Sequence, residues 1–153
     1  MALRKMVYIE DELLRKKSRP VEKFDERLHK LLDDMAETMY HANGVGLAGP
    51  QVGLLRRVVV VDVGDGVIEL VNPKIVVFSG EQDGAEGCLS FPGEYGMVKR
   101  PNYVKVRAQD RFGNFFEMEG RELLARAFCH ELDHLDGVVF KSRASRMLGP
   151  DEL

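Results

Sequence analysis

This chain is short of cysteine, of long apolar runs and of charge of one sign. No stretch of about 18 apolar residues occurs, so the sequence offers no membrane-spanning helix. Two cysteines, Cys88 and Cys129, are too few to frame a disulfide scaffold. A core built from 153 residues needs no such staple, and free thiols are the expectation. The formal net charge is only −3, with both signs well mixed along the chain, which argues against a nucleic-acid or membrane surface. Residues 1–17 are charged throughout and lack the apolar segment of a signal peptide, so the expected location is cytoplasmic. Internal repeats, low-complexity tracts and linkers are missing too. The expectation is one domain over residues 1–153, with a loose, polar tail after about residue 141.

What is present is a pattern of helix, strands, helix. Phe24, Leu28, Leu31, Leu32, Met35 and Met39 recur at three- and four-residue spacing and predict a core-facing helix over about 24–42. Asp25 is its expected N-cap, and Asn43-Gly44 its end. Residues 44–53 read as a glycine-rich loop. The run 57–63, nearly all β-branched and apolar, reads as a strand buried on both faces. Residues 67–71 and 74–78 read as two strands divided by Asn72-Pro73, and 80–84 as a polar loop. Alternation over 102–109 and a turn at 110–114 predict a strand pairing with 115–118. A second helix is expected over 121–136, stopped at Gly137. The short connections disfavour regular βαβ units, leaving α+β with mostly antiparallel sheet.

The second helix carries His130-Glu131-Leu132-Asp133-His134. Residues four apart differ by about 40° in azimuth, so both imidazoles face one way with a carboxylate beside them. One helix thus offers two nitrogen ligands and a base, the arrangement for metal-assisted hydrolysis. A lone buried histidine is usually a satisfied core residue, but a pair at this spacing beside Glu131 is harder to read so. A catalytic metal usually takes three protein ligands and leaves a place for water. Downstream acids are few and no later histidine exists. Upstream, Cys88 in Glu86-Gly87-Cys88-Leu89-Ser90 is a candidate, with a small buried hydrophobe as its plain alternative. The G-x-G of residues 44–46 follows a helix and precedes a strand, the wrong order for a phosphate cradle. Gln51 at the end of that loop reads, on its own, as exposed to water; the alternative is an amide donor to a developing oxyanion. Cys129 is turned about 100° from His130 and reads as core. Asp133 reads as a salt-bridge residue with Arg100 as candidate partner.

Gly44-Val45-Gly46-Leu47-Ala48-Gly49-Pro50-Gln51, then Glu86-Gly87-Cys88-Leu89-Ser90, then His130-Glu131-Leu132-Asp133-His134 resemble, in order and spacing, the three motifs of bacterial-type peptide deformylases. The resemblance runs to about Phe140. It implies an α+β fold with sheets packed around a central metal-binding helix. It implies removal of the formyl group from the N-terminal methionine of newly made proteins, releasing formate. By that likeness the metal ligands are Cys88, His130 and His134, the base is Glu131, and the oxyanion donors are the Gln51 side chain and the Leu89 backbone N–H. The Gly46 backbone joins the catalytic loop. The methionine pocket falls to Val45, Gly46, Glu86, Gly87, Leu123, Arg126, Ala127 and His130, with the Arg126 stem packing and its head reaching water. Substrate main chain is expected to pair near Val45-Gly46 and Gly87. One divalent ion per chain is implied, Fe²⁺ in vivo, with Zn²⁺, Ni²⁺ or Co²⁺ able to substitute. Partners implied are formyl-methionyl nascent peptides and a weak ribosome association, with no DNA or membrane, for a monomer.

Three departures accompany the likeness. Ala48-Gly49 stands where two alanines are common, a change expected to be small. Tyr95 stands where some members carry a substrate-facing arginine. The short C-terminus, where many members continue in a helix, bears on stability or ribosome association. Rival readings are a small zinc endopeptidase, an inactive metal-stabilised binding protein, and a structural zinc site. The first lacks a downstream ligand, the second should lack Glu131 or Gln51, and the third wants a fourth protein ligand.

Overall fold

The computed structural model describes residues 2–152. Helix α1 spans Glu26–His41. The Asp25 carboxylate caps it, accepting from the Leu28 N–H at 3.2 Å and so satisfying one first-turn donor. Its apolar row Leu28, Leu31, Leu32, Met35 and Met39 is buried. Asn43, not Gly44, takes the left-handed turn at φ 58°. Gly44 answers a different need, since a Cβ there would lie 2.6 Å from Leu89 Cδ1.

The glycine-rich segment is not all loop. Gly46–Ala48 form strand β1, and Gly49–Val52 a single 3₁₀ turn. Strand β2, Val58–Val61, pairs antiparallel with β1 and with β3, Ile68–Ser79. The four β2 valines divide between two cores. Val59 and Val61 join the cluster around the second helix, while Val58 and Val60 join the α1 cluster. That explains the unbroken apolar run, because both faces of the strand are covered.

Strand β3 is continuous where the sequence suggested two pieces. Asn72-Pro73 falls at a shift of register between Val71 and Lys74, and Asn72 sits at φ 51°. The Asn72 amide donates to the Val21 carbonyl and to Gln109 Oε1 of the neighbouring strand, both at 2.9 Å, so the irregularity is bonded on both sides rather than ending the strand. β6, Tyr103–Gln109, and β7, Phe115–Arg121, complete a five-stranded antiparallel sheet in the order β1-β2-β3-β6-β7.

A second sheet has three strands. β4, Gln82–Cys88, and β5, Phe91–Arg100, form a hairpin, and β4 takes in part of the 80–84 segment expected to be a polar loop. The segment after residue 140, expected to be loose, is ordered instead. Phe140–Arg143 form the one-turn helix α3, and Ala144–Met147 form β8 on the open edge of β5. An unpaired strand edge is a row of unmet donors and acceptors, and β8 meets them. Phe140 holds the segment down, buried with Leu14, Phe91, Val98 and Val139.

The second long helix, α2, spans Leu123–Leu135 and packs on β1, β2, β6 and β7 on one side and β5 on the other. It therefore lies between the two sheets. Among the described residues no helix is long and apolar enough to cross a membrane.

Candidate metal centre

The two histidines reach the centre because ten of the thirteen α2 residues are buried, including both imidazoles and Glu131 between them. From the other sheet, β4 ends on Cys88 at a tight turn into β5. The donor atoms of Cys88, His130 and His134 all lie within 4.8 Å of one another, with Cys88 Sγ 3.3 Å from His134 Nε2. Bonds of roughly 2.0–2.3 Å to one ion would close that spacing with little movement. One sulfur and two imidazole nitrogens form a donor set suited to zinc or ferrous iron. Three protein donors leave a position free for water, which distinguishes a catalytic from a structural site.

Glu131 is 4% exposed and its Oε1 has no hydrogen-bond partner. Its other oxygen lies against β1, where a Cβ on Gly46 would come within 2.5 Å of Oε2. Gly46 is thus not a free loop backbone but a strand residue whose missing side chain makes room for the carboxylate. Burial pushes the Glu131 carboxyl up to about 7, reinforced by Glu86 and Asp133 and opposed by His130 and Arg100. A buried carboxyl poised near neutrality, unpaired and beside metal donors, is suited to taking and returning a proton.

Glu86 was assigned to the methionine pocket, and it does touch that cavity, but its carboxylate is turned into the protein. It accepts from Arg100 at 2.8 and 2.9 Å and from Arg126 Nη1 at 2.6 Å. It also meets His130 Nδ1 at 2.8 Å. Burial alone would raise this carboxyl, but Arg100 and His130 outweigh it and hold it at about 2. An ionised partner on Nδ1 fixes the ring and leaves Nε2 for a metal. Burial likewise works against a charged His130. The Cys88 sulfur, Glu131 and Glu86 prevail and hold the imidazole well above its ordinary value. These groups call for positive charge, which a divalent ion supplies as a proton does. His134 is pushed the other way, by burial first and then by His130 and Arg100, so its ring is neutral.

Arg126 differs from the expectation in one respect. Its head does not reach water; it is buried on Glu86 and on the Val98 carbonyl at 3.0 Å. Arg100 does pair with Asp133, at 2.7 Å, and Asp133 also receives Arg143. An arginine in the apolar row of a helix was the available signal for a buried acid nearby. Cys129 is buried, and that burial raises its thiol to about 11, as suits a core residue.

Gln51 is 1% exposed, contrary to what its own loop suggested. Its Oε1 accepts from the Ala48 N–H at 3.0 Å, which fixes which way the amide faces. The Nε2 end donates to Ser90 Oγ at 3.2 Å and to Cys88 Sγ at 3.4 Å. Ser90, which the sequence did not single out, is fully buried. Gly49 is also more constrained than expected. A Cβ there would meet the Arg56 and Leu54 carbonyl oxygens at 2.6 and 2.9 Å, so here alanine would require residues 54–56 to shift.

A cavity of about 650 Å³ opens onto this centre. Val45, Gly46, Glu86, Gly87, Leu123, Arg126, Ala127 and His130 all line it, together with Leu89 and Glu131. Tyr95 lines it too, and its ring occupies the space a Cβ on Gly87 would need, at 2.6 Å.

Fold and centre together have the form of a metal-dependent hydrolase, with a candidate base and two candidate ligands on one helix. Comparison with known proteins narrows this. The sequence model of the polypeptide deformylase family matches residues 3–148. The chain is 59% identical to a peptide deformylase of Caldicellulosiruptor bescii over 153 residues, covering all of this chain and 92% of that protein. It is 60% identical to the enzyme of Acetivibrio thermocellus over 94% of this chain and 84% of the other. The crystal structure of peptide deformylase from Thermotoga maritima superposes with a TM-score of 0.92 at 43% identity, over 94% of this chain and 98% of that one. The chain belongs to the peptide deformylase family. Its reaction is hydrolysis of the N-terminal formyl group of newly synthesised polypeptides, and the family is metal-dependent.

Proposed function

We propose that Cys88, His130 and His134 hold one divalent ion, Fe²⁺ in the cell, and that Glu131 is the general base of deformylation. The observation that carries this is the convergence of the three donors beside an unpaired, buried Glu131 oxygen. The ion, when bound, supplies Lewis acidity that lowers the pKa of a water and polarises a carbonyl oxygen. Glu131 takes the proton of the attacking water and passes it to the departing amine. As the formyl carbon becomes tetrahedral, its oxygen gains charge. The Gln51 amide N–H and the Leu89 backbone N–H are the donors proposed to meet it.

Val45, Leu123, Ala127 and the Arg126 stem form the apolar wall for the methionine side chain. Backbone at β1 and Gly87 pairs with the substrate main chain. A formyl carbon carries only hydrogen, so a snug site admits it while excluding ordinary peptide bonds. The reading extends to action on nascent chains in the cytoplasm as a monomer, with at most weak ribosome contact.

The test is formate release from a short formyl-methionyl peptide by anaerobically Fe²⁺-loaded protein, beside Glu131→Ala carrying the same metal. A loss of roughly 10²–10⁴-fold in the variant, with metal retained, is expected. Equal rates would remove Glu131 from the role of base. Cleavage of unblocked peptides instead would favour an endopeptidase.

A further inference from the structure

The segment ahead of α1 has no place in the chemistry described so far, yet it touches that chemistry from behind. At its far end it is fastened to α1. The Ala2 N–H donates to Asp34 Oδ1 at 2.7 Å, and the Arg4 guanidinium holds Asp34 Oδ2 at 2.9 and 3.0 Å. The Arg4 N–H donates to Thr38 Oγ1 at 2.9 Å. Asp34 and Thr38 are both buried, in a helix row otherwise apolar. At its near end the segment runs behind the two parts of the centre. The Val7 N–H donates to the Gln51 carbonyl at 2.8 Å, and the Ile9 N–H to the Ser90 carbonyl at 3.2 Å.

Gln51 and Ser90 belong to different sheets. Gln51 follows β1 of the five-stranded sheet, and Ser90 lies in the turn between β4 and β5 of the other. Their side chains meet across the gap, Nε2 on Oγ. Residues 7–9 make the same crossing in backbone. Met6 packs on the α1 cluster, while Val7 and Ile9 pack on the Leu14–Phe91 cluster.

We infer that residues 2–9 act as a positioning strap, anchored at Asp34 and Thr38, which holds the Gln51 amide and the Leu89-Ser90 turn in register for oxyanion stabilisation. This rests on the reading of Gln51 as an oxyanion donor. The strap makes no hydrogen bond to Cys88, His130 or His134, and it reaches the cavity only through Phe91, on which Val7 and Ile9 pack. Its near-end polar contacts fall on Gln51 and Ser90, so its contribution is expected on the transition state rather than on metal retention or ground-state binding. A misplacement of the order of an ångström, imposed from a distance, is enough to slow catalysis substantially.

The experiment is a double-mutant cycle on the metal-loaded enzyme. Asp34→Asn loosens the far end. Val7→Pro deletes one of the two near-end donors outright, the one on Gln51, so the inference does not hang on one variant. Each is made with Gln51 intact and with Gln51→Ala. Gln51→Ala alone is expected to lower kcat by roughly 10²–10³-fold. Each strap variant alone is expected to lower kcat roughly tenfold, with KM and metal content unchanged. In the Gln51→Ala background the strap variants should cost less, because the part of their effect that passes through Gln51 is gone and only the part through the Leu89-Ser90 turn remains.

A strap variant that costs the same factor whatever stands at 51, or that raises KM or sheds metal instead of lowering kcat, overturns the strap and leaves Gln51 in its role. Unchanged kcat in both strap variants does the same. Unchanged kcat in Gln51→Ala overturns the reading of Gln51, and the strap with it.

Discussion

At the scale of single residues, Glu86 fixes the ring of His130, one of the three proposed metal donors. Two arginines and one histidine share its buried carboxylate. Removing it strands Arg100 and Arg126 without their shared acid and frees the His130 ring. Glu86→Ala is expected to weaken metal binding roughly 10–100-fold, read by chelator competition. It should also lower stability by about 3–5 kcal/mol, since buried Arg126 loses its ion-pair partner and Arg100 is left with Asp133. Metal affinity within twofold of the parent would mean that α2 alone sets the ring. Gly46→Ala tests the opposite flank of the centre. A methyl group 2.5 Å from Glu131 Oε2 must move the carboxylate. kcat should fall by about 10²-fold while bound metal, measured by mass spectrometry, stays at the parental level. The gathering of His130, Glu131 and His134 on one face was legible from helical spacing, and that of Cys88 beside them from the resemblance of its motif. The inward turn of Glu86 was not. Its meaning comes from Arg100 and Arg126, 14 and 40 residues away, and local pattern does not register partners so distant.

Elements were legible in proportion to their apolar periodicity. α1, α2, β2 and the β6–β7 pair carry strong patterns and appear where the sequence puts them, within a few residues. The β4–β5 hairpin does not carry one. Gly84, Gly87, Pro92, Gly93 and Gly96 fill it, and its pairing is secured by the partner strand and by β8 rather than by side-chain alternation. β1 is three residues long and owes its extended form to pairing with β2. It is in these two weakly patterned elements that Cys88 and Gly46 reside, because close approach to a metal or a carboxylate requires small residues that weaken strand signals. α2 depends on the opposite property, dense packing. Phe128 is fully buried in the cluster that joins the helix to β2, β3 and β6. Phe128→Ala is expected to cost about 3–5 kcal/mol in denaturant unfolding with the slope m unchanged. A loss below 1 kcal/mol would show that the helix is held by its ionic contacts instead.

For the whole molecule, the two sheets are joined less by shared strands than by what runs between them, namely α2, the Arg100 and Arg126 contacts, and the N-terminal strap. The strap's anchor gives that arrangement a pH dependence of definite sign. Burial by itself would raise the Asp34 carboxyl, but the Ala2 N–H and the Arg4 guanidinium outweigh it and hold it below the ordinary 3.8. A carboxyl depressed by folding binds its proton more readily in the unfolded chain. Its contribution is therefore fully present above the unfolded value and is lost as pH falls through the folded one. Asp34→Asn has no such charge to lose. Urea unfolding followed from about pH 6 to pH 3 should show the parent losing stability more steeply than the variant at the acid end, the two curves converging as pH falls. Parallel curves would mean that the Asp34 contacts exist in the folded protein without favouring the ionised carboxylate. The strap would then be fastened at its far end by Thr38 and by packing, and not by charge.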